Sequence, residues 1–419
     1  MNLKKQLASY TGINVLNSAI PFILLPILTY YLTPSDYGIL SLIQMVLTLI
    51  FPLVLLNSQS LIVIEKSKLP NELHKKLFST ILSISLFTFI FLELVFIIFN
   101  AQISSYLEVP QYIVLFVPLI LLFQVLPITL PLYFQSNKSP VNFGKVKVTL
   151  SLLNMTISII FVVGLSLGWE GRLAGIALAY ILTSLGCIYY MLINNIISFS
   201  INRKDIAEVI SFGLPLLPHT IAGILLSMSD RFLISAFLDK SALGIYSVGF
   251  QIGMAVSILM TSINQAWAPN MYQELSQKAH DINRYKLVKQ MYRLFGLMCL
   301  IVLLFNALIP LIYKLAISPV FSQSSIFAHL ISVAFLFQGG YFLMTNFLFY
   351  QKKSVSLSIN TNIALVISVC INLILIPKYG LIGASTTILI TYLYLFISTW
   401  YLSARLYKMP WLLSGDEKC

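Results

Sequence analysis

The sequence predicts an all-α membrane protein of about twelve transmembrane helices arranged as two six-helix lobes. Three observations carry this expectation. Hydrophobic residues make up 58% of the chain and charged residues 10%, against roughly 25% charged in a soluble domain. The apolar residues gather into long runs, and no polar stretch between them is long enough to fold alone. Finally, 21 of the 26 Lys and Arg residues fall in alternate connections, as expected when short cytoplasmic loops carry the basic residues.

The runs cover about 8–32, 37–62, 77–100, 111–134, 147–168, 171–196, 210–236, 242–266, 290–313, 325–350, 355–376 and 380–405. Each is near or above the ~20 residues a helix needs to cross the hydrocarbon core. With both termini in the cytoplasm, the inner set begins with Lys4, Lys5, Lys66, Lys68, Lys75, Lys76, Lys138, Lys145, Lys147, Arg203 and Lys204. It continues with Lys278, Arg284, Lys286, Lys289 and Arg293, then Lys352, Lys353, Arg405, Lys408 and Lys418. Only Arg172, Lys240, Lys314 and Lys378 fall outside, and Arg231 alone lies well within a span. Shifting the frame by one helix destroys the alternation.

This layout also explains the net charge of +12. The excess sits in short cytoplasmic loops, where it orients helices and meets anionic head groups. No compact basic stripe with interleaved aromatics points to nucleic acid. Cys187, Cys299 and Cys370 lie inside apolar runs and Cys419 ends the chain, so no pair has metal-ligand spacing. The run Leu7–Leu32 is too long for a signal-peptide core and reads as the first helix.

The stretch 197–209 joins the sixth and seventh helices and divides the chain into lobes 1–209 and 210–419. A repeat supports the division. YLTPSDYGILS (31–41) lies over FLDKSALGIYS (237–247) at a constant offset of 206, matching Leu32/Leu238, Ser35/Ser241, Gly38/Gly244, Ile39/Ile245 and Ser41/Ser247. A weaker echo pairs 170–180 with 378–388. Each lobe starts in the cytoplasm and has an even number of spans, so the repeat is parallel, about an axis along the membrane normal. The longest cytoplasmic connection, 268–289, is partly amphipathic.

No P-loop, HExxH, GxSxG or convincing acid pair is present, so the chain carries no enzyme motif and no nucleotide site of its own. His74 and His280 fall in cytoplasmic loops and His329 near the outer start of the tenth helix. The informative residues are polar ones inside spans, which are costly unless paired or hydrated. In the seventh helix, Asp230 and Arg231 adjoin, and His219 falls within ~20° of the face of Asp230 at ~100° per residue. An Asp–Arg pair locking this helix to a neighbour competes with a substrate-facing role. Asn14 and Asn17 mark the first helix, Gln44, Asn57 and Gln59 the second, and Gln251, Asn264 and Gln265 the eighth. Such amides serve as glue between helices, but their concentration on the first two helices of each half suggests a shared wet cavity. Asn360, Asn362 and Asn372 in the eleventh helix spread the signal. Glu93 is an acid inside the third helix that pairing or snorkelling would satisfy. Pro21, Pro26, Pro215 and Pro218 permit bending.

The double-proline first helix with YYLTPSDYGILSL, the segment SDRFLISAFLDKSALGIYSVGFQI and the following NQAWAPNMYQ resemble polysaccharide flippases of the Wzx type, within the MATE-like superfamily. The likeness covers essentially the whole chain. It departs at NSQSLIVIEKS (57–67), where Gln59 and Glu65 replace an expected small-residue pattern ending in Arg. The resemblance implies two lobes around a central cavity in the bacterial cytoplasmic membrane. It implies transfer of an undecaprenyl-pyrophosphate-linked oligosaccharide to the outer leaflet, with no cofactor and with coupling to H⁺ or Na⁺ as an option. Membrane lipids, a polysaccharide polymerase and a chain-length regulator are the partners it suggests. A multidrug or cation antiporter of the same architecture is the competing expectation and would want an unpaired intramembrane carboxylate. A membrane polymerase or ligase would need a larger outer loop to hold carbohydrate.

Overall fold

The computed structural model describes residues 3–198, 202–276, 284–351, 353–407 and 409–411. Lys278 and His280, the middle of the amphipathic connection, lie outside them, as do Lys352, Lys408, Lys418 and Cys419. The described residues form helices and no strand. This is what a hydrocarbon solvent demands, because a helix satisfies its backbone groups within one segment. In order they are α1 (Leu3–Tyr31), α2 (Pro34–Val54), α3 (Leu61–Ile64), α4 (Asn71–Ile98), α5 (Asn100–Leu107), α6 (Gln111–Ser136), α7 (Pro140–Ile159), α8 (Gly168–Ile193), α9 (Arg203–Gly213), α10 (Leu217–Phe237), α11 (Lys240–Ser276), α12 (Arg284–Ala316), α13 (Ser325–Tyr350) and α14 (Ser354–Leu406).

Among the described residues, ten helices are long and apolar enough to cross a membrane. Two features separate this from the expected twelve. Of α1, the stretch Ala19–Tyr31 is apolar but shorter than a full span. And α14, 53 residues long, contains a break at Gly380, whose φ of 58° and ψ of −136° lie outside helical space. A straight helix of that length would run about 80 Å at 1.5 Å per residue, far beyond a bilayer.

The two outer turns of the 206-residue repeat are built alike. Thr33 caps α2, accepting from the Asp36 amide at 3.2 Å while Asp36 accepts from the Thr33 amide at 2.9 Å. Asp239 caps α11 by accepting from the Ala242 amide at 2.6 Å. The flanking bonds also correspond: Leu32 to Leu28 and Leu238 to Ile234 at 2.9 Å, Tyr37 to Thr33 and Leu243 to Asp239 at 3.1 Å. Gly38 and Gly244 are both buried one turn in. The weaker echo needs a correction. The glycine conformations set a register of 212, with Gly168 (φ 57°) matching Gly380 (φ 58°) and Tyr180 matching Tyr392.

The expected second helix, 37–62, ends early. Pro52 lies in the last turn of α2, and Leu56 and Asn57 take positive φ values of 46° and 54°. The chain re-enters α3 and a 3-10 turn, Glu65–Ser67, where Glu65 meets Lys68 at 2.6 Å. His74, expected in a loop, is buried in the first turn of α4 against the Ile62 carbonyl (2.7 Å) and the Tyr133 ring.

Two compact units follow the chain, Met1–Ile224 and Leu225–Cys419, with their division inside α10. Local contacts join the start of α10 to the first unit. The Asn57 amide donates to Thr220 at 2.8 Å, and Gly213 packs where any Cβ would collide with the Leu56 carbonyl. The first unit is built around α2, α4 and α6, with Leu42, Ile43, Leu77, Phe78, Ile81 and Leu121 almost fully buried. The second is built around α11, α13 and α14. There, small residues bring backbones together: a Cβ at Gly253 would stand 2.8 Å from Ile331, and one at Gly339 2.8 Å from Met260.

Candidate functional site

In the second unit, α10 carries Asp230 and Arg231 as neighbours, and successive helical positions point about 100° apart. Asp230, 3% exposed, accepts a short hydrogen bond from the Tyr246 hydroxyl on α11. Arg231 lies over the Phe250 ring, 4.1 Å from its centroid. No ion pair joins Asp230 to Arg231 among the described residues. The expected Asp–Arg pair is therefore replaced by an Asp–Tyr bond and a cation–π contact. A cation over a ring face retains its hydrogen-bonding edge for a ligand.

Arg231 opens onto a cavity of about 240 Å³ lined also by Phe250, Ser257, Gln338, Ser368 and Tyr392. A relay fixes its far wall: the Ser257 hydroxyl donates to Gln338 Oε1 at 2.5 Å, and Gln338 Nε2 donates to the Tyr392 hydroxyl at 2.9 Å. Phe335 stands edge-on to Phe250 at 5.7 Å. A guanidinium, hydroxyls and an amide beside aromatic faces can hold an anionic or hydroxyl-rich group while excluding bulk water.

The first unit holds a second cation that the sequence reading assigned to an outer loop. Arg172 lies in the opening turns of α8. Its Nη1 donates to Asn154 Oδ1 and Ser158 Oγ on α7, both at 2.5 Å. Tyr180 stands close to Gln124 on α6, whose Oε1 is buried without a partner. The pair Gln124–Tyr180 thus mirrors Gln338–Tyr392. A five-residue π turn, Ile160–Gly164, follows directly on α7, a local strain often found at functional sites.

The remaining sequence-nominated residues separate into several settings. Asn14 lies on α1, its side chain outside the described ones. Asn17 accepts from Ser151 on α7. Gln44 is exposed and donates to Thr48 on its own helix at 3.3 Å. Gln59 sits in the break after α2, donating to Asn57 at 3.2 Å, with its Oε1 buried and unpartnered. His219 is exposed whereas Asp230 is buried, so their shared helical face does not give a shared environment. Asn264 accepts from Asn346 at 2.9 Å, and Tyr272 donates to Asn346 at 3.2 Å, a helix-joining network. Gln251 is half-buried and Gln265 exposed. The residues missed by sequence are Tyr246, Phe250, Gln338, Tyr392 and Arg172. The Gly-hydrophobic-Tyr signature did contain Tyr246, but nothing local marks the others.

Comparison with known proteins gives the family and the fold. The family described as "Polysaccharide biosynthesis protein" matches residues 3–275. The capsular polysaccharide biosynthesis protein CapF of Staphylococcus aureus is 26% identical over 414 residues, covering 94% of this chain and 97% of its own. Among solved structures, an inward-facing MATE-family multidrug resistance transporter matches with a TM-score of 0.72 at 14% identity, over 93% of this chain and 94% of that one. The lipid II flippase MurJ, in an inward closed conformation, also reaches 0.72 at 15% identity, over 93% and 87%. The fold is MATE-like, and the chain is a multi-pass protein of the bacterial cytoplasmic membrane.

Proposed function

The chain belongs to the polysaccharide biosynthesis protein family, and from that premise we propose that it flips undecaprenyl-pyrophosphate-linked oligosaccharide units from the inner to the outer leaflet. The two lobes follow the repeat, with both termini in the cytoplasm. The observation that carries the reading is Arg231 on the wall of a largely apolar cavity with a few polar groups, held by no carboxylate among the described residues. A diphosphate crossing a low-dielectric region is costly unless paired. A guanidinium binds phosphate oxygens in bidentate fashion and stays charged when desolvated. Tyr246 holds Asp230 and so keeps that carboxylate from neutralising Arg231. Gln338, Tyr392 and Ser257 then face the sugar or phosphate hydroxyls.

The test is surface glycan display in a flippase-null strain, with membrane protein level measured alongside. Arg231→Ala abolishes display at normal protein level, and Arg231→Lys restores part of it, because the charge returns without the fork. Normal display by Arg231→Ala removes Arg231 from the mechanism. Loss of the protein itself assigns Arg231 to structure.

One observation favours ion coupling, as in an antiporter. Glu93 Oε2 on α4 is buried without a partner among the described residues, a setting in which a carboxylate takes up a proton or cation. Glu93→Gln would then uncouple transport from the H⁺ or Na⁺ gradient; unchanged ion dependence removes Glu93 from that role.

A further inference from the structure

The end of α11 away from the Asp239 turn carries a second cavity, of about 280 Å³, lined by Trp267, Asn270, Gln273, Glu274 and, from α12, Gln290. Trp267 lies 27 residues beyond Lys240 on one continuous helix, about 40 Å at 1.5 Å per residue. That exceeds the ~30 Å hydrocarbon core, so the cavity opens among head groups or water. We propose that it is a carbohydrate subsite that takes one neutral sugar ring. This rests on the flippase reading and adds the class of sugar met at the inner surface.

The lining chemistry is selective. Trp267 stands on the cavity wall beside Asn270, Gln273, Glu274 and Gln290. Glu274 supplies an acceptor, and three amides supply both. Sugar hydroxyls donate and accept at one oxygen, so they satisfy such a mixed set. The indole face offers an apolar platform to a ring's C–H side. Among the described residues no cation lines the cavity, and Glu274 repels a carboxylate or phosphate. The volume, roughly nine waters at about 30 Å³ each, suits a single ring. Asn270, Trp267 and Glu274 share one face of α11 at three- and four-residue spacing, and Asn270 is steadied by its bond to the Ala266 carbonyl at 3.4 Å.

The experiment uses the full-length protein in detergent with methyl glucoside, N-acetylglucosamine and glucuronate as probes. Saturation-transfer NMR on the sugar protons and emission of a variant retaining only Trp267 read binding. Because Trp400 and Trp411 pack together at 5.7 Å, the NMR arm keeps all tryptophans. Saturable binding of at least one neutral sugar, none of glucuronate, and a loss of about tenfold in Glu274→Gln and Trp267→Ala support the site. Absence of neutral-sugar binding, equal binding of glucuronate, or unchanged affinity in both variants overturns it. Free sugars need no lipid and no transport. Arg231→Ala therefore retains this binding, and a failed sugar titration leaves the Arg231 test of flipping standing.

Discussion

The Tyr246 hydroxyl donates to the Asp230 carboxylate, which binds α10 to α11 through an acid buried among apolar neighbours. Tyr246→Phe strands that carboxylate, and a buried charged acceptor without its donor costs on the order of 1–3 kcal/mol or more. The thermal midpoint of the purified protein is expected to fall. Adding Asp230→Asn to Tyr246→Phe removes the charge and recovers part of the loss. A Tyr246→Phe protein as stable as the parent shows that the bond contributes nothing.

Arg172 is held by neutral groups, Asn154 and Ser158. Replacing it by Met keeps much of its volume but leaves Asn154 Oδ1 with only the long bond from Ser158 at 3.4 Å, so stability falls by about 1–3 kcal/mol. The double variant Arg172→Met/Asn154→Leu removes both partners and regains much of that amount. Denaturation midpoints of the single and double variants decide the matter. Strictly additive losses contradict a direct bond.

Gly380→Ala tests the break in α14. A Cβ there meets nothing within 4 Å, so any cost comes from the backbone alone. A non-glycine residue at φ 58° and ψ −136° costs about 1–3 kcal/mol. Gly296→Ala, in an open helical position of α12, is the control and should be neutral or stabilising by about 0.5–1 kcal/mol. Equal melting behaviour of the two variants contradicts the break.

The proposed topology places Ser35 and Ser241 outside. With Cys187, Cys299, Cys370 and Cys419 replaced by Ala, Ser35→Cys and Ser241→Cys should react with a membrane-impermeant maleimide in intact spheroplasts. Labelling that requires lysis reverses the orientation.

The fold class was legible because hydropathy and the distribution of Lys and Arg act over whole segments. The outer turns were legible because their cap residues, Thr33 with Asp36 and Asp239, act within four residues of themselves. The site was legible only in part. Asp230 and Arg231 stand out as charges in an apolar run, but which of them meets Tyr246 and which Phe250 depends on helix rotation. Gln338 and Tyr392 reach the same cavity from more than a hundred residues away in sequence, with no local signal. Arg172 misled because a charge near a span's end looks like a loop residue until α7 supplies its partners. Asn57 and Gln59 read as part of the second helix, whereas positive φ at Leu56 and Asn57 ends that helix and lets Asn57 reach Thr220 on α10.

A guanidinium surrounded by neutral partners also acts as an electrical element. Across a bacterial membrane, one elementary charge carried through the full potential changes the free energy by about 2.3 kcal/mol per 100 mV. Among the described residues Arg172 has no carboxylate within ion-pair distance, so its charge is uncancelled in that field. Any rearrangement that shifts α8 along the membrane normal therefore carries a gating charge. An inside-negative potential pulls this residue toward the cytoplasmic face.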